Sequence, residues 1–131
     1  MKILLDTHAW LWMLTTPERL GTGATALVED QTHDLKLSAA SSWEIAIKYR
    51  LGKLPLPSPP ARYIPERMQI FGVEPLPITH THALAVAELP LHHTDPFDRL
   101  LIAQAQLDGL TILTLDRMFA KYEVPLRWAG D

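Results

Sequence analysis

Lys2-Ile3-Leu4-Leu5-Asp6-Thr7 is the stretch that decides the fold class of this chain. Ile3, Leu4 and Leu5 are contiguous aliphatics and leave no polar face, the pattern of a strand buried on both sides. The run stops at Asp6. In an open parallel α/β sheet, ligands bind outside the carboxyl ends of the strands. An aspartate in that place is a metal ligand, a nucleophile or a cap on the next turn, and its companions must decide which.

Working outward, His8 to Leu14 reads as a short apolar helix, punctuated by Pro17 and Gly21. A second helix is expected over 22–30, with Ala24, Leu27 and Val28 at helical spacing. Leu35-Lys36-Leu37 alternates like a strand, and Ser38 is placed to cap a helix over 39–51 that Gly52 ends. Residues 55–60 carry four prolines and form a stiff connection. A helix over 61–71 follows, interrupted by Pro65 and closed by Gly72. The strand expected over 73–78 carries two prolines, which puts it at a sheet edge. An alanine-rich helix over 79–88, a loop over 89–94 and a helix from Asp95-Pro96 to Asp108 come next. Thr111 to Leu115 is a strand stopping at Asp116, and a short helix near Met118 and a strand over 124–127 complete the chain. Strands alternate with helices throughout, so the class is α/β with a mainly parallel sheet.

Composition narrows the chemistry. The chain has 131 residues, 47% of them hydrophobic, sufficient for one domain with its own core. It has no cysteine, which excludes disulfide frameworks and thiolate zinc sites and fits a cytoplasmic location. There is no signal pattern at the N-terminus, and no apolar run reaches the roughly 18 residues of a membrane span, so no membrane partner is expected. Formal net charge is −3, so binding a nucleic acid would need a local patch or a metal rather than a basic surface.

Four carboxylates then fall on one rim. Asp6 and Asp116 end strands; Glu44 and Asp98 lie in the first turns of helices. Each has a structural reading. Ser41-Ser42-Trp43-Glu44 fits a capping box, Asp95-Pro96-Phe97-Asp98 a looser one, and Asp116 an N-cap. Helical spacing adds a second consideration. Glu44 shares a face with Ala40, Ile47 and Leu51, and Asp98 shares one with Leu101, Ile102 and Ala105. Both acids therefore continue an apolar stripe read as inward, where a carboxylate is costly without a counter-charge. Like charges about 4 Å apart repel by about 4 kcal/mol at an effective dielectric near 20. A divalent cation removes that cost, and hard oxygen donors favour Mg²⁺ or Mn²⁺.

The segments Leu4-Leu5-Asp6-Thr7-His8, Ser41 to Lys48 with Gly52-Lys53-Leu54, His93 to Ala105 and Leu113-Thr114-Leu115-Asp116 follow one another in order. In this the chain resembles PIN-domain proteins, and within them the VapC-type toxins of toxin–antitoxin pairs. The resemblance implies a single PIN domain over 1–131, a PIN-like three-layer α/β/α sandwich with a central, mainly parallel sheet. It implies a Mg²⁺-dependent endoribonuclease (Mn²⁺ being the alternative ion) that hydrolyses RNA, forms a homodimer and is neutralised by a cognate antitoxin. Asp6, Glu44, Asp98 and Asp116 match the family's catalytic metal-site acids, whereas Asp95 precedes the acid that opens the Asp-Arg-Leu-Leu-Ile-Ala run. On this reading Asp6 and Asp98 hold the ion directly, and Glu44 and Asp116 orient waters or complete the site.

Other residues divide between roles. Thr7 and Thr114 either hold a water or an acid, or cap a turn. Lys48 pairs with Glu44 along the helix, or joins Arg50, Lys53 and Arg99 in guiding a phosphate backbone. His80 with His82, and His92 with His93, lack the spacing of paired helical ligands, which argues against zinc. Trp10, Trp12 and Trp43 read as core or interface anchors rather than base-stacking platforms. Two rivals stand beside the nuclease. An aspartyl phosphotransfer domain would use Asp6 as nucleophile, although the aspartate usual two residues later is replaced by His8. A non-catalytic binding module would keep the fold and use its tryptophans for a partner.

Overall fold

The structure, a computed structural model, describes residues 1–130. A five-stranded sheet is built from β1 (Lys2–Leu5), β2 (Asp34–Ser38), β3 (Val73–Leu76), β4 (Thr111–Thr114) and β5 (Leu126–Trp128). The strand order is β3-β2-β1-β4-β5 and every pairing is parallel. Six α-helices join them: α1 (Thr7–Thr15), α2 (Thr22–Glu29), α3 (Ala39–Arg50), α4 (Pro60–Phe71), α5 (His80–Ala85) and α6 (Pro96–Asp108). β1 is central, as its unbroken apolar run requires, and Ile3, Leu4 and Leu5 are all fully buried.

Alternation along the strands separates two cores. Ile3, Leu5, Leu35, Leu37 and Leu113 face one layer with Trp10, Met13, Ile45 and Ile64. Leu4 and Ile112 face the other, with Leu101, Ile102, Ala105 and Phe119. The result is the expected three-layer α/β/α sandwich with a central parallel sheet. β3 lies at the sheet edge, where Pro75 needs no ladder partner on its outer side. Gly72 and Gly109 end α4 and α6 at φ 67° and 68°, a left-handed C-cap that glycine adopts without strain.

Three local expectations change. The helix over 79–88 is α5, capped by Thr79, followed by a 3-10 turn at Val86–Glu88. The region near Met118 is a 3-10 turn, Arg117–Lys121, rather than an α-helix. The stripe through Glu44 turns outward beyond that residue: Ala40 is buried, but Ile47 is 37% and Leu51 62% exposed. The stripe through Asp98 does run inward, with Leu101, Ile102 and Ala105 buried.

Candidate metal centre

Strand register builds the floor of the site. Leu5 of β1 pairs with Leu37 of β2 and with Leu113 of β4. The next residue on each strand, Asp6, Ser38 and Thr114, therefore stands level at the carboxyl edge. This edge is also where the chain's direction of progress across the sheet reverses, from β1 towards β2 on one side and towards β4 on the other.

Asp6 is 3% exposed and has both carboxylate oxygens engaged. Oδ1 accepts the Ala9 N–H at 2.9 Å, capping α1, and Oδ2 accepts the Thr114 hydroxyl. Thr114 Oγ1 in turn accepts the Asp116 N–H at 3.0 Å. Asp116 Oδ1 accepts the Met118 N–H at 2.9 Å, capping the 3-10 turn. Thr114 thus holds Asp6 and also caps the adjacent turn through the Asp116 N–H, so both roles open to its hydroxyl are filled. Thr7 instead donates to Ser41 Oγ at 2.9 Å and fastens α1 to α3.

The capping-box reading of Glu44 fails. Ser38, not Ser41, caps α3, accepting the Ala40 N–H at 3.0 Å. The helix starts three residues earlier than that motif requires, so Glu44 lies in its second turn. There it is 6% exposed and bonded to Lys48 Nζ at 2.7 Å, the helical pair expected of that spacing. Asp95 is the N-cap of α6, its Oδ1 accepting the Phe97 N–H at 2.9 Å and the Asp98 N–H at 3.3 Å. Asp98 stands one turn inside that cap.

Electrostatics show which acids face one another. Asp98 is pushed up to about 8, first by burial and then by negative charge on Asp95, Asp6, Glu44 and Asp116. Asp6 is also raised; its burial outweighs the Thr114 and Ala9 hydrogen bonds and nearby His8. Among the described residues Lys48, at Glu44, is the one lysine bonded to any of these carboxylates, so the site is short of positive charge, which a divalent cation would supply.

The tightest cluster is not wholly acidic. Ligand atoms of His93, Asp98 and Asp116 all lie within 4.8 Å of one another. Asp6 and Glu44 act on Asp98 but stand outside that close group. His93 is the residue that sequence reasoning missed. Its ring and that of His92 both pack against Tyr122, at 5.3 Å and 4.9 Å, and His93 Nε2 lies 3.7 Å from Asp98 Oδ2. The available signal was its place two residues ahead of the N-cap Asp95, at the mouth of the helix that carries Asp98.

Arg99 leaves the list of phosphate-guiding residues. It is 8% exposed, and its guanidinium donates to the carbonyls of Pro90 at 2.9 Å, Val86 at 3.0 Å and Leu89 at 3.3 Å. Its role is to fasten the segment leading to His93. Trp10 is fully buried in the core, whereas Trp43 is 59% exposed and stacks edge-on against Phe97.

Comparison with known proteins places this geometry. Ribonuclease VapC16 of Mycobacterium tuberculosis (strain ATCC 25618 / H37Rv) is 56% identical over 57 residues, 44% of this chain. The match spans only 40% of that relative's length. Ribonuclease VapC22 of the same organism is 29% identical over 126 residues, covering 94% of this chain and 93% of that protein. Among solved structures, VapBC2 from Rickettsia felis bound to a DNA fragment from its promoter superposes with a TM-score of 0.71. That likeness is at 16% identity over 100% of both chains. DNA-bound VapBC from Salmonella typhimurium superposes with a TM-score of 0.67, at 16% identity over 98% of each chain. These likenesses concern the fold. A model of the PIN domain matches residues 3–125, and with the sheet order and acidic rim described above, this chain belongs to the PIN domain family.

Proposed function

We propose that this protein is a metal-dependent endoribonuclease that hydrolyses RNA phosphodiester bonds, with Mg²⁺ or Mn²⁺ at the acidic rim. The observation that carries the reading is Asp98, a part-buried carboxylate whose pKa is raised first by burial and then by four other acids, Asp95, Asp6, Glu44 and Asp116, gathered from separate parts of the chain. The names of the similar proteins, ribonucleases VapC16 and VapC22, supply the substrate class. A bound divalent cation would neutralise charge on the phosphate and activate a water for attack. The chain's own part is to fix the donors. Thr114 and the α1 N-terminus hold Asp6, the α6 cap holds Asp98, and Lys48 holds the buried Glu44 carboxylate. Asp6, Glu44, Asp98 and Asp116 are the residues assigned to this site.

The same reading makes the protein the toxin of a toxin–antitoxin pair, a homodimer in the cytoplasm neutralised by a cognate antitoxin. The solved neighbours are VapBC assemblies, and apolar side chains of α3 at Trp43, Ile47 and Leu51 remain exposed for a partner. Among the described residues, no helix is long and apolar enough to cross a membrane. The aspartyl phosphotransfer alternative is disfavoured by Asp6 itself, whose two oxygens are both hydrogen-bonded and buried. No observation favours the non-catalytic module.

Cleavage of a mixed RNA pool tests the reading. Wild-type protein with Mg²⁺ or Mn²⁺ should cut, EDTA should stop it, and Asp98→Asn should fall by a factor of about 100 or more. Equal cutting by wild type and Asp98→Asn would refute the assignment.

A further inference from the structure

His93 is the one group of the tight cluster that an all-acid site leaves without a task. Its side chain is 12% exposed, and its Nε2 atom is fully buried without a hydrogen-bond partner. A buried polar atom of this kind calls for an explanation. Nε2 lies 3.7 Å from Asp98 Oδ2, too far for a hydrogen bond. It is the right separation for two ligands of one ion: donors about 2.0–2.2 Å from a cation lie about 3–4 Å from each other.

The other side of the ring is anchored. Nδ1 lies 2.8 Å from the hydroxyl oxygen of Tyr122, a residue only 6% exposed. The same oxygen also accepts the His93 main-chain N–H at 3.3 Å and an Arg99 N–H at 3.4 Å. With the ring proton on Nδ1, Nε2 carries the lone pair that ligation needs; in the opposite tautomer an Nε2–H would face the Asp98 carboxylate at 3.7 Å, so a bound cation would select the first. The main chain is anchored as well, because Arg99 binds the carbonyls of Val86, Leu89 and Pro90 just ahead of His93. A ring fixed at one nitrogen, with the other buried and aimed at two carboxylates, is how metal-ligating histidines are held.

We propose that His93 Nε2 is a ligand, together with one carboxylate oxygen each from Asp98 and Asp116, of the divalent cation at this rim. The inference rests on the metal-dependent reading above and changes its metal. Imidazole suits Mn²⁺ and other transition dications, whereas Mg²⁺ prefers oxygen donors and water. The site therefore selects Mn²⁺ over Mg²⁺. Tyr122 is its positioning residue, acting through the ring.

The test uses the full chain without a histidine tag and Mn²⁺ itself as probe, read by electron spin-echo spectroscopy. Bound Mn²⁺ should show coupling to a directly ligated imidazole nitrogen, and ¹⁵N-histidine labelling should replace the ¹⁴N pattern. His93→Gln should abolish the coupling and weaken Mn²⁺ binding by about tenfold or more, while Mg²⁺ binding changes little. His92→Gln should retain the coupling. Tyr122→Phe should retain it with weaker Mn²⁺ binding. If wild type binds Mn²⁺, loses it on Asp98→Asn and shows no nitrogen coupling, the acidic site stands and the His93 assignment is overturned. Coupling that survives His93→Gln overturns it too. Absence of any Mn²⁺ binding by wild type removes both the inference and the reading beneath it. The wild-type spectrum decides even where His93→Gln fails to fold.

Discussion

Asp98→Asn should stabilise the metal-free protein at high pH while destroying its response to metal. The amide has the carboxylate's shape but no charge. Folded Asp98 titrates at about 8, against about 3.9 for an unfolded aspartate. The folded state therefore resists ionising this group. Below about pH 3.9 the acid is protonated in both states and costs nothing; the cost grows as pH rises and is complete above about pH 8. Each pKa unit is about 1.36 kcal/mol, so the full linkage is about 6 kcal/mol. The side chain is 21% exposed, so after discounting for solvent screening about 2 kcal/mol between pH 5 and pH 8 is the expected reading. The assay is denaturant unfolding in EDTA at pH 5, 6.5 and 8. Wild type should lose stability relative to Asp98→Asn across that range. Mn²⁺ at about 100 times its dissociation constant should return about 2.7 kcal/mol to wild type at pH 8 and little to the variant. Parallel pH profiles for the two proteins would refute the reasoning, because they would mean that the surrounding acids do not bear on Asp98.

Thr114→Val removes the hydroxyl shared by Asp6 and Asp116 and should cost about 2 kcal/mol in denaturant unfolding at neutral pH, with Thr114→Ser restoring most of it. Arg99→Lys should cost about 2–4 kcal/mol through unpaired carbonyls of residues 86–90. It should leave the salt dependence of RNA binding unchanged; a shallower salt slope would instead return Arg99 to the phosphate-guiding residues.

The parts of the fold legible in sequence are those set by local pattern. The aliphatic run of β1, Ser38 before α3, Pro96 after Asp95, and Gly109 behind α6 each state a boundary that the backbone obeys. What failed depended on competition or on distance. Ser38 and Ser41 both look like caps for α3, and Ser38 prevails because the strand ends there. Ile47 and Leu51 have the spacing of an inward face, but spacing does not say whether another layer lies over it. Asp6 and Asp98 could be proposed from sequence because both stand at ends of regular elements. His93 stands in a loop, where no period applies, and its direction is set by Tyr122 and Arg99, which bind it or its neighbours only once the chain has folded.

The acids of the rim divide by what backbone and side-chain donors do for them. Asp6 receives Ala9 and Thr114, Asp116 receives Met118, Asp95 receives Phe97, and Glu44 receives Lys48. Among the described residues, no hydrogen bond reaches the Asp98 carboxylate. It is the acid raised furthest by its neighbours, and it is the only one of the set whose negative charge is left for something outside the chain. Caps and site are thus not rival explanations of these residues: capping fixes an acid such as Asp116 through one carboxylate oxygen, and on the metal-dependent reading its other oxygen would join Asp98 at the cation. Substituting Asp6 would unfasten α1 along with the site, so loss of activity there would not separate folding from chemistry. Asp98, free of structural bonds, does separate them, and a variant there that gains stability while losing metal can be explained only by an acid kept for binding.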